Sequence, residues 1–480
     1  FCAIVSGNQP CARTVDLMTE MRRINNVNAD TVRTPLGIVY NVPNLNDLRN
    51  IYQAQIYPGK YYNSLAQVAD RHPTSLSSLE ATGKVGSVGF YVSGQYTDDP
   101  GAVKFFNGST QRRGRLNLDY SARPDLTINV STMFDNFYRD QRSSGIFGTL
   151  LRGGMPGFDY LARDTLGRLL TGRGASGWRP TGNGGANPLY DAENTIADQT
   201  SNRFLGSVSG KYFPASWITF DANFGYDNRQ SQASAITVKG YRTNTLSATT
   251  NGGNLAIGNS RDEALNTGLA ATLRKSLRTD LQAKLRVAGN YDQEIFSSAN
   301  GSGNIFLVKE IYTLGNTSAN KDNPTSSAQT IKNAGISAAL NLDFKDRYIL
   351  DASWRYDGSS LFGPGHRWAP FNRIAGVWIA SNEPWWHSDI LNQFRLRASR
   401  GTAGTTPRFT AQYEVFNVGA TGISTGQAGN KALRPETTTE YETGAEFELF
   451  KRFGLEFTYA QGKTKDQILS VLTPASIGYS

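Results

Sequence analysis

The sequence has no run of about 18 or more apolar residues, so it contains no segment that could form a transmembrane helix. Hydrophobic residues make up 39% of the 480 residues, and aromatic residues make up 11%. The lack of a long apolar run does not exclude a membrane protein. The strands of a transmembrane β-barrel bury only alternate residues in lipid and therefore look polar on average.

Cysteine and histidine are also scarce, with two of the first and three of the second. Cys2 and Cys11 could form a small disulfide in an oxidising compartment or stay free, but two cysteines are too few for a disulfide framework. His72, His366 and His387 are far apart in the sequence, and polar loop or interface positions explain each of them. No nucleophile–base arrangement stands out, so the sequence predicts no enzyme, no metal site and no cofactor.

Long runs of one charge are absent as well. The 49 Lys and Arg exceed the 40 Asp and Glu, giving a net charge of +9, but they are scattered along the chain. This pattern is typical of a solvated lumen, loops and a membrane rim rather than of a nucleic-acid site. The chain begins at Phe1 and shows neither the basic nor the apolar segment of a signal peptide. This is expected for a secreted protein whose sequence is given from a point after its N-terminus.

The dominant local pattern is an alternation of apolar and polar residues over long segments. In residues 279–292, Leu281, Leu285 and Val287 fall on one face, and Lys284 and Arg286 fall on the other. These segments run for about 9–14 residues, and a tilted strand needs about 9–11 to cross a bilayer. The polar faces are too charged for a packed core, because each charge would need water or a partner.

The alternation predicts about fourteen strands. They are residues 74–82, 85–97, 112–121, 125–137, 203–213, 217–229, 264–275, 279–292, 333–344, 347–357, 370–380, 393–401, 438–449 and 453–463. The connections alternate between tight turns, with a longer one at 381–392, and long loops at 98–111, 138–202, 230–263, 293–332, 358–369 and 402–437. Short periplasmic turns and long extracellular loops are typical of outer-membrane barrels.

Aromatic residues cluster near both ends of these strands. Tyr212 and Trp217 flank one tight turn, whereas Trp354, Tyr356 and Trp368 lie near a long loop. This distribution is that of two interfacial girdles, although aromatic residues are also simply frequent in strands. The fold class is therefore all-β, an antiparallel transmembrane β-barrel.

Several segments resemble the barrel of SusC/RagA-like TonB-dependent transporters, in the order found in that family. They are GKVGSVGFYVSGQYTDDPGAVK at 83–104, RRGRLNLDY at 112–120, NPLY at 187–190, WITFDANFGYD at 217–227, RYDGSSLFG at 355–363, WAPFNRIAGVWIASNEPW at 368–385, ALRPETTTEYETGAEFELF at 432–450 and FTYAQGKTKDQIL at 457–469. The resemblance covers roughly residues 74–470 and implies a plugged barrel of 22 strands.

The sequence departs from this family in ways that predict its domain organisation. About 14 of the expected 22 strands are found, residues 1–73 show no counterpart of the plug domain, and no TonB box is visible. We expect an internal stretch of a longer chain. Residues 1–73 would form a pre-barrel, first-strand and loop region, and residues 74–480 an incomplete transmembrane barrel domain.

The resemblance implies energised import of a nutrient too large for a simple porin, an oligosaccharide or a peptide, across the outer membrane of a Gram-negative bacterium. The implied partners are a SusD-like surface lipoprotein, the TonB–ExbB–ExbD complex and outer-membrane lipid, with no nucleic acid. Two alternatives remain, a passive porin or surface-adhesion barrel and a soluble all-β binding protein.

Site residues follow only loosely from the sequence. Arg286, Asp351 and Arg355 are candidates to line the solute path, but they could instead pair across strands and hold the wall. The Asp98–Asp99 pair could help to bind Ca²⁺ in a loop, although acidic residues before Pro more often form turns.

Overall fold

A computed structural model describes residues 62–142, 159–171, 187–242, 247–319, 324–419, 422–472, 474 and 476, with the backbone of short strands at Thr31–Arg33 and Val39–Asn41. Its main feature is one antiparallel sheet, in which fourteen strands follow each other in chain order. They are β1 (Ser75–Val85), β2 (Val88–Asp99), β3 (Ser109–Arg123), β4 (Leu126–Asp140), β5 (Thr195–Ala215), β6 (Ile218–Thr237), β7 (Asn254–Arg278), β8 (Leu281–Phe306), β9 (Thr325–Phe344), β10 (Tyr348–Ser359), β11 (Trp368–Ile379), β12 (Leu391–Thr405), β13 (Glu436–Leu449) and β14 (Phe453–Lys465).

Each strand pairs with the strands before and after it, so the sheet is a continuous meander with β1 and β14 at its two edges. The short strand Thr317–Ala319 adds to β8. Another small pair, Phe416–Gly419 and Gly422–Thr425, lies apart from the main sheet. The predicted antiparallel barrel strands are confirmed in number and order, and the sheet is open, as expected of part of a barrel.

The strand register places the apolar residues of neighbouring strands side by side. Leu285 pairs with Leu273 on one neighbour and with Leu340 on the other, Leu340 pairs with Ala352, and Ala352 with Ile374. Because successive side chains of a strand point to opposite faces, this register gives the sheet one apolar face and one polar face. A shift of one residue would reverse both faces of a strand, so the apolar pattern fixes the pairing.

The connections are sorted by length as predicted. Two-residue turns join β1 to β2 and β7 to β8, and the turn between β9 and β10 uses Lys345 and Asp346 with φ of 60° and 53°. Two successive residues in this left-handed region are typical of the turns that match the twist of a hairpin. We call the end of the strands where these turns lie the short-turn end, and the opposite end the long-loop end.

Five strands exceed the predicted length by seven residues or more. β5, β6, β7, β8 and β9 run for 21, 20, 25, 26 and 20 residues and extend far towards the long-loop end. The predicted loops 230–263 and 293–332 are therefore partly wrong, since much of each is strand, and the predicted loop 138–202 is wrong at its end, where β5 already begins at Thr195. In these extensions both faces carry polar residues, so the alternation fades although the backbone pairing continues.

Aromatic side chains lie in contact at both ends of the apolar face. At the short-turn end, Phe394 stacks on Phe447 with ring centroids 5.0 Å apart, and Trp386 lies 5.8 Å from Phe394. At the long-loop end, Tyr356 stacks on Trp368 at 5.2 Å. These contacts fit the two predicted girdles.

Among the described residues, helices are few and short. They comprise α1 (Ser64–Val68), α2 (Pro188–Asn194) and α3 (Ala248–Asn251), with 3-10 turns at Leu314–Asn316, Ala380–Asn382 and Phe409–Gln412. No helix in the described part of the chain is both long enough and apolar enough to cross a membrane.

Candidate functional site

The polar face of the sheet is the candidate site, because the register assembles side chains from many strands into one continuous surface. Its middle part is rich in neutral carboxamides and hydroxyls, and the Ser131 hydroxyl donates a hydrogen bond of 2.7 Å to the side chain of Asn117. The same band includes Asn129, Ser209, Asn223, Asn266, Asn290 and Asn333. Groups of this kind both donate and accept hydrogen bonds, which suits a hydrated solute.

Ion pairs join neighbouring strands above this band, towards the long-loop end. Arg113 of β3 lies 3.1 Å from the carboxylate of Asp135 on β4, and Arg203 of β5 lies 2.5 Å from that of Asp227 on β6. All four side chains are partly exposed, and pairs of this kind contribute about 0–1 kcal/mol each. They mainly fix the orientation of the charges on the face.

The three site candidates from the sequence all lie on the polar face. Arg286 is 3.7 Å from the carboxylate of Asp221, two strands away. Asp351 accepts a hydrogen bond of 2.8 Å from the Asn341 carboxamide. Arg355 pairs with Asp357 of its own strand at 3.0 Å. Their role as solute contacts remains a prediction, and the structure brings only Arg286 and Asp351 to one cavity.

That cavity, of about 230 Å³, is lined by β8, β9, β10 and β11 and contains three basic residues, Lys284, Arg286 and Arg373. We call these three residues the basic cluster. Asp351 is the only acidic residue in the lining, and Lys284 and Arg373 form no ion pair among the described residues. The cavity therefore carries net positive charge and would attract a carboxylate or phosphate group. Sequence reasoning missed Lys284 and Arg373 as site residues, since only the register brings these strands together.

A second charged group lies on the polar face of β12, β13 and β14, near the short-turn end. Arg397 contacts three glutamates, with distances of 3.6 Å to Glu442, 3.3 Å to Glu446 and 2.6 Å to Glu456. Arg395 adds a contact of 3.0 Å to Glu446. Glu446 thus pairs with two arginines, and this arginine–glutamate network is mixed in sign, unlike the basic cluster.

The long loops form a buried core of their own at the long-loop end. Val68, Val103, Tyr160, Leu169 and Leu189 are each at most 5% exposed and pack in one cluster. We call this cluster, with the loop residues around it, the loop core. It assembles segments separated by more than a hundred residues, so no local periodicity could predict it.

Arg142 ties the loop core to the end of β4. Its guanidinium pairs with Asp140 and donates to the backbone carbonyl groups of Phe105, Ala192 and Thr195. Burial would raise the pKa of the Asp140 carboxyl, but hydrogen bonds from Arg142 and from the backbone N–H groups of Asn107 and Arg142 outweigh it and lower that pKa. Asp140 is therefore ionised and paired at neutral pH.

A tyrosine–aspartate pair lies beside this core. The Tyr241 hydroxyl donates to the Asp191 carboxylate, and the Tyr241 ring lies 5.2 Å from that of Tyr190. Burial raises the pKa of the Asp191 carboxyl, and the hydrogen bond from Tyr241 only partly offsets it. Burial, together with the bond to Asp191, raises the pKa of the Tyr241 phenol well above its ordinary range. The phenol thus remains the donor.

In the part of the chain that the structure describes, no group of three or more His, Cys, Asp or Glu residues is arranged so that it could hold a metal ion. Asp99 accepts hydrogen bonds from Thr74 at 3.2 Å and from the backbone of Gly101 at 3.1 Å, as a turn-forming residue does. His72 lies 3.2 Å from Asp70. Cys2 and Cys11 lie outside the described residues, and Ca²⁺ binding at Asp98–Asp99 stays a prediction.

Comparison with known proteins places this sheet among receptors of one kind. Residues 147–480, more than half of the chain, match the family described as TonB dependent receptor-like, beta-barrel. TonB-dependent receptor P26 of Formosa agariphila is 24% identical over 436 residues, which cover 85% of this chain and 41% of that protein. SusC of Bacteroides thetaiotaomicron is 29% identical over 122 residues, 22% of this chain and 12% of SusC.

Solved structures share the same fold. The RagAB peptide transporter has a chain that superposes with a TM-score of 0.66 at 21% identity, covering 90% of this chain and 49% of the other. At this level of identity the likeness shows the fold alone. The chain spans about half the length of the solved structures it matches and less than half of the curated relatives.

Proposed function

The chain belongs to the TonB dependent receptor-like β-barrel family, and from this premise we propose that it forms part of the wall of an outer-membrane nutrient importer. The observation that carries the proposal is the continuous division of fourteen strands into one apolar and one polar face. Such a sheet needs lipid on one side and a hydrated lumen on the other.

The sidedness follows from the same geometry. The apolar face lies against lipid, and its two aromatic rows lie at the two membrane interfaces. The short-turn end faces the periplasm and the long-loop end faces the outside of a Gram-negative cell, as in other outer-membrane barrels. The loop core then stands on the cell surface, where a solute arrives.

The solute is an oligosaccharide or a peptide. The neutral amide and hydroxyl band of the lumen wall supports a hydrated, uncharged backbone of either kind. The basic cluster supports a solute that also carries carboxylate or phosphate groups. The structurally similar RagAB transporter is named as a peptide transporter, which supports a peptide as one of these two solute classes.

Two partners belong to the same proposal. A SusD-like lipoprotein would cap the long-loop end, where the loop core offers an ordered surface. The TonB–ExbB–ExbD complex would supply energy from the periplasmic side. Both rest on the family and on the similarity to SusC and RagAB.

Uptake measurements test the function. A strain lacking the full-length gene is expected to lose growth on at least one defined glycan or peptide, and deletion of tonB is expected to give the same loss. Uptake that persists without TonB would instead favour the passive porin. If the gene deletion affected no solute of either class, the import proposal would be overturned.

Site variants test the lumen residues. Arg286→Gln, Asp351→Asn and Arg355→Gln are each expected to lower solute uptake several-fold while the receptor still reaches the outer membrane. Lys275→Gln is the matched control, because Lys275 pairs with Ala283 on the apolar face of the same sheet. Unchanged uptake in all three variants would limit these residues to holding the wall.

A further inference from the structure

On β5, β6, β7 and β8, the face of the sheet that carries the apolar residues continues beyond the part that we place against lipid. We call this face the outward face and its lipid-contacting part the lipid-facing band. This band ends at Phe204, Tyr226, Leu265 and Tyr291, yet the strands run on to Thr195, Thr237, Asn254 and Phe306. A tilted strand of about 9–11 residues already crosses the bilayer, so each extension stands outside the hydrocarbon region. In these extensions, the side chains on the same face as the lipid-facing residues therefore form an outer wall just above the membrane.

A groove of about 380 Å³ lies on this outer wall. Most of its lining residues lie on the same face of the sheet as the lipid-facing residues. The register sets them side by side: Asn202 pairs with Gln230, Gln230 with Arg261, and Gln232 with Asn259. The volume falls within the range of small-ligand pockets, about 300–1,000 Å³. The groove faces away from the lumen and is therefore separate from the solute path.

The groove is polar but neutral. Asn202, Gln230, Gln232 and Asn259 are exposed, and the last three make no side-chain hydrogen bond within the described residues. Its one cation, Arg261, is paired with Glu263 of the same strand. Free carboxamides beside hydroxyls recognise groups that both donate and accept hydrogen bonds, which a phosphate or an acyl chain does not offer.

Two hydrophobic rims bound the groove. The lower rim is the end of the lipid-facing band. The upper rim is a cluster in which Ile236, Leu255 and Phe306 are at most 8% exposed and residues 307–316 fold over the strands. Leu314 of this segment approaches so closely that a Cβ on Gly301 would lie 3.0 Å from its Cδ1. The polar groove is therefore a partly open recess between these two rims.

We propose that this groove binds the sugar portion of an outer-leaflet glycolipid. The inference rests on the proposed function, because it needs the apolar face to lie in the outer membrane. The groove is continuous with the lipid-facing surface below it, so a lipid packed on Phe204 and Tyr226 would place its polar head directly in the recess. Neutral amides fit a hydroxyl-rich head and leave the phosphates to solvent.

Quantification of bound glycolipid tests the proposal. The full-length receptor is purified from native outer membranes in mild detergent, and glycolipid per receptor is measured by mass spectrometry. The triple variant Gln230→Ala, Gln232→Ala, Asn259→Ala is expected to retain at least threefold less glycolipid than the wild type. The matched control Asn223→Ala, Asn266→Ala, Asn290→Ala removes three carboxamides from the polar face of the sheet and is expected to retain the wild-type amount.

Rebinding separates the sources of the ligand. Wild-type receptor in nanodiscs is expected to bind the glycolipid more tightly than the same acylated anchor without its sugars, and more tightly than the released oligosaccharide. Equal retention by the groove variant, equal binding of the sugar-free anchor, or equal binding of the free oligosaccharide would each overturn the proposal. Outer-membrane fractionation and heat-modifiable gel mobility confirm that each variant is folded and inserted.

Solute uptake distinguishes this proposal from the proposed function. The groove variant is expected to keep wild-type uptake, because the groove lies outside the lumen. Loss of uptake in the gene deletion together with unchanged glycolipid in the groove variant would overturn the proposed glycolipid site and would still support the importer. Absence of the wild-type receptor from the outer-membrane fraction would overturn the proposed function itself.

Discussion

Arg142 shows how a single residue can organise segments that are far apart in the chain. Its side chain is 9% exposed and that of Asp140 is 2% exposed, so this ion pair is buried although it stands near the surface. The guanidinium also lies 4.6 Å from the centre of the Phe106 ring. A buried pair with extra hydrogen bonds of this kind loses far more when one partner is removed than an exposed pair does.

Replacing Arg142 with Met should therefore loosen the loop core. Asp140 would be left buried without its counter-charge, at a cost of about 3–5 kcal/mol to the folded loops. Limited proteolysis of intact cells should cleave the loops of the variant at least tenfold faster than those of the wild type. The control Arg163→Met removes a partly exposed pair with Glu193 and should change the rate little. Equal rates for the two variants would contradict a special role for Arg142.

Asp191 should make the loop core sensitive to pH. Its pKa is raised by burial, so its contribution to stability is fully present below the ordinary carboxyl pKa of about 3.9 and is lost as the pH rises through the higher folded value. Asp191→Asn keeps an acceptor for Tyr241 but cannot ionise. Protease protection of the variant and the wild type should match at low pH and then diverge in favour of the variant as the pH rises. A constant difference across the pH range would count against this account.

At the scale of the element, the alternation of apolar and polar residues was enough to predict all fourteen strands β1 to β14, because side chains that face lipid must be apolar along the membrane-crossing part. β10, predicted as 347–357 and found as Tyr348–Ser359, is a case in point. Prediction failed where lipid imposes no demand. The upper halves of β7 and β8 carry Gln293, Ser297, Asn259 and Arg261 on the outward face, so their strand character depends on pairing that only the structure reveals.

The candidate site was predictable only in part for the same reason. The alternation within a single strand is enough to predict that Arg286 lies on a polar face. The basic cluster needs the register that sets Arg286 opposite Ala339, Ala339 opposite Ser353, and Ser353 opposite Arg373. Local sequence carries no such information about residues as far apart in the chain as Lys284 and Arg373.

Two neighbouring residues of β7 can test which face meets lipid. Leu269 pairs with Ala222 and Gly289 on the apolar face, and Ala270 pairs with Asp221 and Ala288 on the polar face. Leu269→Arg should destabilise the inserted barrel by about 2–4 kcal/mol, the cost of an arginine near the bilayer midplane, whereas Ala270→Arg should be tolerated. Urea titration of the receptor in lipid vesicles, followed by heat-modifiable gel mobility, measures both. Equal destabilisation would mean that both faces are shielded from water.

Over the whole sheet, charge is distributed unevenly around the lumen wall. The basic cluster on β8 and β11 has one carboxylate in its cavity, whereas the network on β12 to β14 sets two arginines against three glutamates. On the polar face, a positive region therefore lies beside a region of mixed sign on the neighbouring strands. Under the proposed function, this difference in charge would orient a charged solute along the wall.

The orientation of the whole sheet can be tested by labelling single cysteines in intact cells. In a receptor with Cys2→Ser and Cys11→Ser, Leu166→Cys places a thiol in a long loop, at a residue that is 72% exposed. Thr279→Cys places one in the exposed turn between β7 and β8. A maleimide that cannot cross membranes should label the first thiol in intact cells and the second only after lysis. Both should react equally in detergent, which controls for thiol reactivity. Labelling of Thr279→Cys alone in intact cells would reverse the sidedness, and labelling of both would place the two ends of the sheet on the same side of the membrane.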